Sequence, residues 1–234
     1  MDRREFIKIS GAAGIGALAT GCRTSRSPQP ESTPEQMEIR VNPVSGDKVS
    51  LLGFGCMRWP MIKDAEGKDV IDQEAVNEMV DYAIAHGVNY FDTSPAYLQG
   101  QSEKAAGIAL SRHPRDSYYI ADKFPGHSLP GPVDNIALFN ISLNRCQTEY
   151  FDFYLLHNIT EWSVKIYEDP AYHIMPDIFR MRDEGKIKHL GFSFHGGPEL
   201  LEKFLTKYEG EFEFVQIQLN TSTGHFRKQR KSMT

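Results

Sequence analysis

The chain has little cysteine, no long apolar run and no excess of positive charge. Its 234 residues include three cysteines, Cys22, Cys56 and Cys146, whose spacing indicates neither a zinc site nor a disulfide framework. The sequence does not exclude a disulfide between two of them in an oxidising compartment. No apolar stretch reaches the roughly 18 residues that a membrane-spanning helix needs. The net charge of −5 offers no large basic surface, so we expect no nucleic-acid partner.

The first 22 residues have the layout of a secretory signal. Arg3 and Arg4 precede Phe6-Ile7-Lys8, and a weakly apolar run of small residues follows. The string is similar to a twin-arginine signal, and the residues up to Cys22 resemble a lipoprotein cleavage box. We therefore predict that the twin-arginine machinery exports the protein to the periplasm or cell envelope, with Cys22 as a lipid anchor. The alternative is an amphipathic N-terminal helix with a chance pair of arginines.

Composition divides the rest of the chain into three parts. Residues 23–37 are rich in Ser and Pro and cannot bury enough apolar surface to offset ordering, so they are expected to form a disordered linker. Residues 38–220 are expected to form a partial barrel. Residues 221–234 are polar and basic, and no strand or amphipathic helix can be assigned to them. They are interpreted either as a basic tail that contacts anionic lipid or as sequence out of frame.

Strands and helices alternate strictly between these limits. A turn-rich segment at 42–47 predicts a hairpin, and Asp72 is placed to cap the first helix. Alternation of this kind predicts right-handed βαβ units and a parallel sheet. The fold class is therefore α/β, a (β/α)8 TIM-barrel type that is incomplete, with about six of the eight units. The six strands are expected at 51–55, 88–92, 118–123, 151–157, 188–193 and 214–219.

A doubly wound nucleotide-binding sheet is the alternative. That fold places a glycine-rich phosphate turn between its first strand and first helix. Here Gly53 and Gly55 supply only the first two glycines, and no helix begins after them. The barrel is therefore preferred, and its first and sixth strands are expected to be unpaired edges.

Three titratable residues end consecutive predicted strands. Asp92, Lys123 and His157 occupy these ends, and Tyr97 follows Asp92 by one short loop. Alone, each has an ordinary explanation. Asp92 is explained as a loop cap and Lys123 as a solvated strand end. His157 is explained as a core histidine and Tyr97 as a surface aromatic. The carboxyl ends of parallel barrel strands converge on one mouth, where active sites form. The shared position therefore predicts one pocket that contains all four.

The segments around these residues resemble the aldo-keto reductase family. The similar segments are Phe91-Asp92-Thr93-Ser94-Pro95-Ala96-Tyr97, Ala121-Asp122-Lys123-Phe124 and Tyr154-Leu155-Leu156-His157, and the resemblance extends over about 51–220. It implies an enzyme that reduces a small-molecule carbonyl substrate, an aldehyde or ketone, with a nicotinamide cofactor. It also implies that Tyr97 donates the proton, Lys123 lowers the pKa of Tyr97, Asp92 pairs with Lys123, and His157 orients the carbonyl.

The same resemblance implies a cofactor site. It assigns Ser193, Gln216 and Asp92 to NADP(H), with NAD(H) as the alternative, and it implies no metal. Phe194 stands where the family often has Asn, which weakens amide recognition unless His195 or the backbone replaces it. The segment 191–195 is similar to a branch that carries an iron–sulfur module, but no cysteine run accompanies it. No cluster is therefore predicted.

The resemblance also implies what the sequence as written lacks. In the family, the last two units supply an aromatic that stacks on nicotinamide and a basic loop that grips the adenosine phosphate. The chain as written is therefore expected to bind NADPH weakly or not at all. A non-catalytic binding protein and an inactive truncated remnant are the rival interpretations.

Overall fold

The described structure begins with the predicted hairpin. In the computed structural model, residues 37–218 are described. Strand β1 (Ile39–Val41) pairs antiparallel with β2 (Lys48–Ser50). The side-chain oxygen of Asn42 accepts a hydrogen bond from the Val44 N–H at 2.9 Å, and Gly46 has a φ of 81°, a left-handed conformation that glycine adopts without strain. These turn residues set the register of the hairpin.

Several predictions fall outside the described residues. The signal at 1–22, almost all of the linker at 23–37 and the tail at 221–234 belong there. The export route, the envelope location and the lipid anchor at Cys22 therefore stay predictions. Within residues 37–218, no helix is both long and apolar enough to cross a membrane.

Six strands form one parallel sheet, as expected. Its strands, in the order in which they lie side by side, are β10 (Phe214–Ile217), β9 (Ile187–Phe194), β8 (Phe151–Ile159), β7 (Tyr119–Phe124), β6 (Tyr90–Asp92) and β3 (Phe54–Gly55). Neighbouring strands of this sheet are therefore also consecutive members of it in chain order. Within the described residues the sheet is open, with β3 and β10 as its edges. The incomplete (β/α)8 fold class is confirmed. Two further strands, β4 (Met61–Lys63) and β5 (Asp69–Ile71), lie outside this sheet.

Helices connect the strands of this sheet. The first begins after Asp72, whose Oδ1 accepts a hydrogen bond from the Ala75 N–H at 3.1 Å. Asp134 caps the third helix in the same way, with the Ala137 N–H at 2.9 Å. The helices are α1 (Gln73–Ala85), α2 (Gln101–Leu110), α3 (Asn135–Cys146), α4 (Val164–Glu168), α5 (Ile174–Asp183) and α6 (Pro198–Lys207).

The first barrel strand is shorter than predicted. It was expected over 51–55, but only Phe54–Gly55 pairs with β6. Leu51 and Leu52 are 58% and 62% exposed, and the Leu51 N–H donates to the Glu38 carbonyl at 2.8 Å. Leu51 therefore extends the N-terminal hairpin instead of the sheet. The small antiparallel hairpin of β4 and β5 was not predicted.

The side chains of β7 point alternately into two different environments. Ala121 packs with Phe153 and Leu155 in a cluster on the inner face of the sheet. Ile120 and Phe124 belong to the larger core that includes helix residues. Because successive side chains of a strand point to opposite faces, Lys123 shares the inner face with Ala121, and Asp122 faces the helices.

A buried acidic pair lies between β7 and the helices. Glu103 and Asp122 are both 0% exposed; Glu103 Oε2 accepts from Arg145 Nη1 at 2.9 Å, whereas neither side-chain oxygen of Asp122 has a partner among the described residues. Burial and the neighbouring Glu103 raise the pKa of Asp122 well above its ordinary value. Cys146 adds a third potential metal ligand within 4.8 Å, but burial also raises the pKa of that thiol. A proton held on Asp122 accounts for this cluster better than a metal ion, because the raised pKa values disfavour the charged forms that a metal ion binds.

Asp122→Asn is expected to reduce the loss of stability with rising pH. A raised pKa means that the folded protein retains a proton that the unfolded chain releases above about pH 4. The stability from that proton is fully present below the unfolded pKa and is lost as pH rises through the folded pKa. Urea midpoints measured between about pH 5 and 9 should therefore fall less for the variant than for wild type. Identical pH dependence in the two proteins would mean that Asp122 is ionised in the fold.

Candidate active site

The structure brings the four predicted catalytic residues to one end of the sheet. Asp92 ends β6, Lys123 lies next to the end of β7, and His157 lies near the end of β8. Tyr97 begins a 3-10 turn, Tyr97–Gly100, in the loop after β6. Because the strands are parallel, their carboxyl ends face one side. The predicted convergence is therefore seen in the geometry.

Lys123 and Asp92 form a buried ion pair. Lys123 Nζ lies 2.5 Å from Asp92 Oδ1 and donates a second hydrogen bond to the Thr93 carbonyl at 2.7 Å. The Lys123 side chain is 2% exposed. Burial alone lowers the pKa of Lys123, but the charge of Asp92 and the nearby Tyr97 outweigh it and leave that pKa raised. The ammonium form is therefore held in place beside Tyr97.

Tyr97 packs beside this pair, but its pKa differs from expectation. Lys123 Nζ lies 4.9 Å from the centre of the Tyr97 ring. The sequence predicted that Lys123 would lower the pKa of Tyr97. Burial raises this pKa by more than Lys123 lowers it, so the net pKa is raised. Lys123 therefore acts in the predicted direction, but the sequence did not show how deeply the phenol is buried, and burial decides the net pKa.

His157 is neutral and held on several sides. Its Nδ1 lies 3.1 Å from Ser94 Oγ, and its ring meets those of Tyr97 at 5.8 Å and His127 at 4.6 Å, both in edge contact. Burial, together with the charges of Lys123, His127 and His195, lowers the pKa of His157 to about 3. At neutral pH the imidazole therefore has one N–H donor and one acceptor nitrogen.

The two further cofactor candidates lie side by side on the last two strands. Ser193 of β9 and Gln216 of β10 are register partners. Ser193 is 4% exposed, and its hydroxyl accepts a hydrogen bond from the Asn158 N–H at 2.7 Å, which connects it to the strand of His157. Gln216 is exposed. Ser193 thus adjoins the cluster, while Gln216 contacts it only through strand pairing.

Phe194 cannot replace the amide that the family often has next to Ser193. It is 2% exposed, and its ring contacts Phe192 in the core at 6.3 Å. His195 is the more exposed neighbour, and burial lowers its pKa. The backbone N–H of His195 donates to the Ile159 carbonyl at 2.9 Å, so that N–H is not available to a ligand.

Tyr167 supports the site and was not predicted. Its hydroxyl lies 3.0 Å from the Phe124 carbonyl and 2.7 Å from the His157 carbonyl. It therefore links the ends of the strands that carry Lys123 and His157. A Cβ at Gly126 would come within 2.5 Å of the Tyr167 ring, so glycine is required for this packing. The short helix α4 that carries Tyr167 gives little periodic signal in the sequence.

Comparison with known proteins agrees with this geometry. A probable aldo-keto reductase of Glycine max is 29% identical over 178 residues, covering 71% of this chain and 48% of that protein. L-galactose dehydrogenase of Arabidopsis thaliana is 28% identical over 169 residues, covering 68% and 49%. The holo form of an aldo-keto reductase from Bacillus halodurans is 26% identical with a TM-score of 0.59, covering 78% of this chain and 57% of that chain.

The match to the family extends along most of the chain. The chain spans about half the length of these curated relatives. The sequence model of the Aldo/keto reductase family matches residues 51–233, which include all the candidate site residues. The chain therefore belongs to the aldo/keto reductase family.

Proposed function

We propose that this chain reduces an aldehyde or ketone with a nicotinamide cofactor and that Tyr97 supplies the proton. The observation that carries the proposal is the buried Lys123–Asp92 pair at 2.5 Å, with the Tyr97 ring beside the ammonium. A phenol next to a fixed cation can release a proton to a developing alkoxide, because the cation stabilises the phenolate left behind.

Each residue has one role in this scheme. Tyr97 holds its proton on the phenol oxygen and transfers it to the carbonyl oxygen as the alkoxide forms. Lys123 stabilises the resulting phenolate, and Asp92 keeps the ammonium in position. His157 is neutral and offers an N–H to the same carbonyl oxygen, which orients the substrate. A general acid of this kind contributes roughly 100-fold or more to the rate.

The described residues offer suitable groups for the cofactor. Asp92 Oδ2 is buried without a partner among them and is free to accept a hydrogen bond. The Ser193 hydroxyl accepts from Asn158, and its own proton remains available for a carboxamide oxygen. Gln216 is exposed beside it. We propose NADP(H) as the cofactor, with NAD(H) as the alternative; when bound, it would supply the hydride.

The pH dependence of turnover tests this assignment. The raised pKa of Tyr97 keeps the phenol protonated, and the pKa of about 3 keeps His157 neutral. Neither group changes its protonation between about pH 5 and 9, so kcat/KM for methylglyoxal should be flat over that range. Absorbance of NADPH at millimolar concentration would follow the reaction. A falling limb near pH 6.5, about the ordinary histidine value, would contradict the assignment.

A further inference from the structure

The hydroxyl of Ser94 has a single acceptor within reach. Ser94 is 0% exposed. Its Oγ accepts a hydrogen bond from the Ala96 N–H at 3.2 Å and lies 3.1 Å from His157 Nδ1. No other side-chain hydrogen bond of Ser94 is formed within residues 37–218. Because an amide N–H can only donate, Nδ1 of His157 is the one described atom that can accept the serine proton.

The hydrogen-bond partners of the Ser94 hydroxyl determine which imidazole nitrogen of His157 is protonated. If Nδ1 carried the hydrogen, it would donate to Ser94 Oγ and leave the serine O–H buried without an acceptor. A buried unsatisfied donor costs about 1–3 kcal/mol, which favours the opposite tautomer by roughly 5-fold or more. With the serine as donor, the Ala96 N–H, the hydroxyl and Nδ1 are all satisfied.

We propose that Ser94 is a positioning residue: it donates its hydroxyl proton to Nδ1 of His157 and so keeps the N–H on Nε2, the nitrogen that addresses the substrate. No hydrogen bond of Nε2 is formed within residues 37–218, so it is free for a ligand. The tautomer itself follows from the geometry alone. Its use in orienting a carbonyl rests on the proposed function.

Neighbouring rings keep this arrangement from rotating. The His157 ring is held between the edge contacts with Tyr97 and His127. The carbonyl of His157 accepts from the Tyr167 hydroxyl at 2.7 Å, which anchors the backbone. A flip of the ring would exchange Nδ1 with a carbon and leave the Ser94 hydroxyl without its acceptor. Ser94 therefore sets both the tautomer and the orientation of the ring.

The first test is the tautomer of His157 in the wild-type protein. Long-range ¹⁵N–¹H correlation spectra of the ¹⁵N-histidine-labelled full chain distinguish protonated from unprotonated ring nitrogens, and His157→Asn assigns the signal by its loss. We expect an unprotonated Nδ1 and a protonated Nε2 at neutral pH. A protonated Nδ1 would overturn the proposal without the need for any Ser94 variant.

Ser94→Ala is the second test, with Ser102→Ala as its matched control. Ser102 is equally buried, at 0% exposure, but its hydroxyl donates to the Cys56 carbonyl at 2.6 Å and lies 2.9 Å from Thr93 Oγ1, with no hydrogen bond to His157. Ser94→Ala should move the His157 nitrogen shifts toward a mixture of tautomers, Ser102→Ala should leave them in place, and Ser94→Thr should restore them. Unchanged shifts in Ser94→Ala would refute the role of the hydroxyl.

Turnover separates this inference from the proposed function. Ser94→Ala should lower kcat for carbonyl reduction by about 2-fold or more, because a mixture of tautomers leaves part of the molecules with the wrong ring nitrogen protonated, and the wrong tautomer impairs catalysis. The predicted tautomer in a protein that never turns over would contradict the proposed function and leave the role of Ser94 intact. Turnover by a protein in which His157 carries its hydrogen on Nδ1 would refute the role of Ser94 and leave the proposed function intact.

Discussion

Tyr97→Phe is expected to lower kcat/KM for carbonyl reduction by about 100-fold or more, the usual contribution of a general acid. The substitution removes only the phenol oxygen, so the ring can keep its contacts with Lys123 at 4.9 Å and His157 at 5.8 Å. The effect should appear in kcat as well as in kcat/KM, because the proton is needed only as the alkoxide develops.

The ratio of the wild-type rate to the Tyr97→Phe rate is informative even when the cofactor binds weakly. Wild type and variant share the same cofactor residues, so low affinity for NADPH lowers both rates and leaves their ratio informative. Tyr82→Phe is the control, because Tyr82 is 67% exposed on α1, away from the site. It should retain wild-type turnover. Tyr97→Phe with wild-type kcat/KM would show that another group supplies the proton.

Arg145→Met should destabilise the fold more than removal of any surface ion pair. Arg145 is the cation that contacts Glu103 at 2.9 Å, and the Glu103 side chain is 0% exposed. Without it, the buried Glu103 would lose this ion pair while it lies beside Asp122. Breaking a buried pair in this way costs about 3–5 kcal/mol. Urea unfolding followed by circular dichroism would measure the change in free energy of unfolding.

Arg112→Met is the matched control for that measurement. Arg112 pairs with Asp81 at 2.7 Å, but the two side chains are 44% and 40% exposed, and exposed pairs contribute about 0–1 kcal/mol. Adding Glu103→Gln to Arg145→Met should recover part of the loss, because it removes the uncompensated charge. Equal, small effects of the two arginine variants would mean that the acidic pair takes up a second proton at little cost.

Local sequence patterns were sufficient to predict much of the fold. Asn42 and Gly46 marked the first hairpin, and Asp72 marked the start of α1. The apolar run in β8 was recognised because a strand buried on both faces needs no alternation. The segment at Leu51 was misassigned because apolar composition indicates burial, yet Leu51 is 58% exposed. Its backbone N–H donates to the Glu38 carbonyl, which places Leu51 in the hairpin and not in the sheet.

Other elements were missed for identifiable reasons. The hairpin of β4 and β5 has exposed strands, so it shows no apolar alternation. Its turn did carry a signal: Asp64 Oδ1 accepts hydrogen bonds from the backbone N–H groups of Glu66 and Lys68, and Gly67 has a φ of 79°. Helix α4 spans five residues, which is too short for a helical period to be detected.

The site was predictable where strand position alone decided it. Asp92, Lys123 and His157 could be grouped because parallel strands present their carboxyl ends together. The contact between Ser94 and His157 spans 63 positions, and only the folded arrangement shows it. The net pKa of Tyr97 likewise depends on burial by distant segments. The sequence could therefore predict that the candidate residues lie together, but not the protonation states that burial favours.

Deuterium transfer from [4,4-²H₂]NADPH, which carries deuterium at both C4 positions, tests the central claim most directly. The purified full chain would be incubated with millimolar labelled cofactor and methylglyoxal, and the product would be analysed by mass spectrometry, with Tyr97→Phe in parallel. We expect an alcohol that carries one deuterium on the former carbonyl carbon, formed at least about 100-fold more slowly by the variant. A wild-type chain that forms no deuterated alcohol, or forms it at the same rate as Tyr97→Phe, would contradict the account.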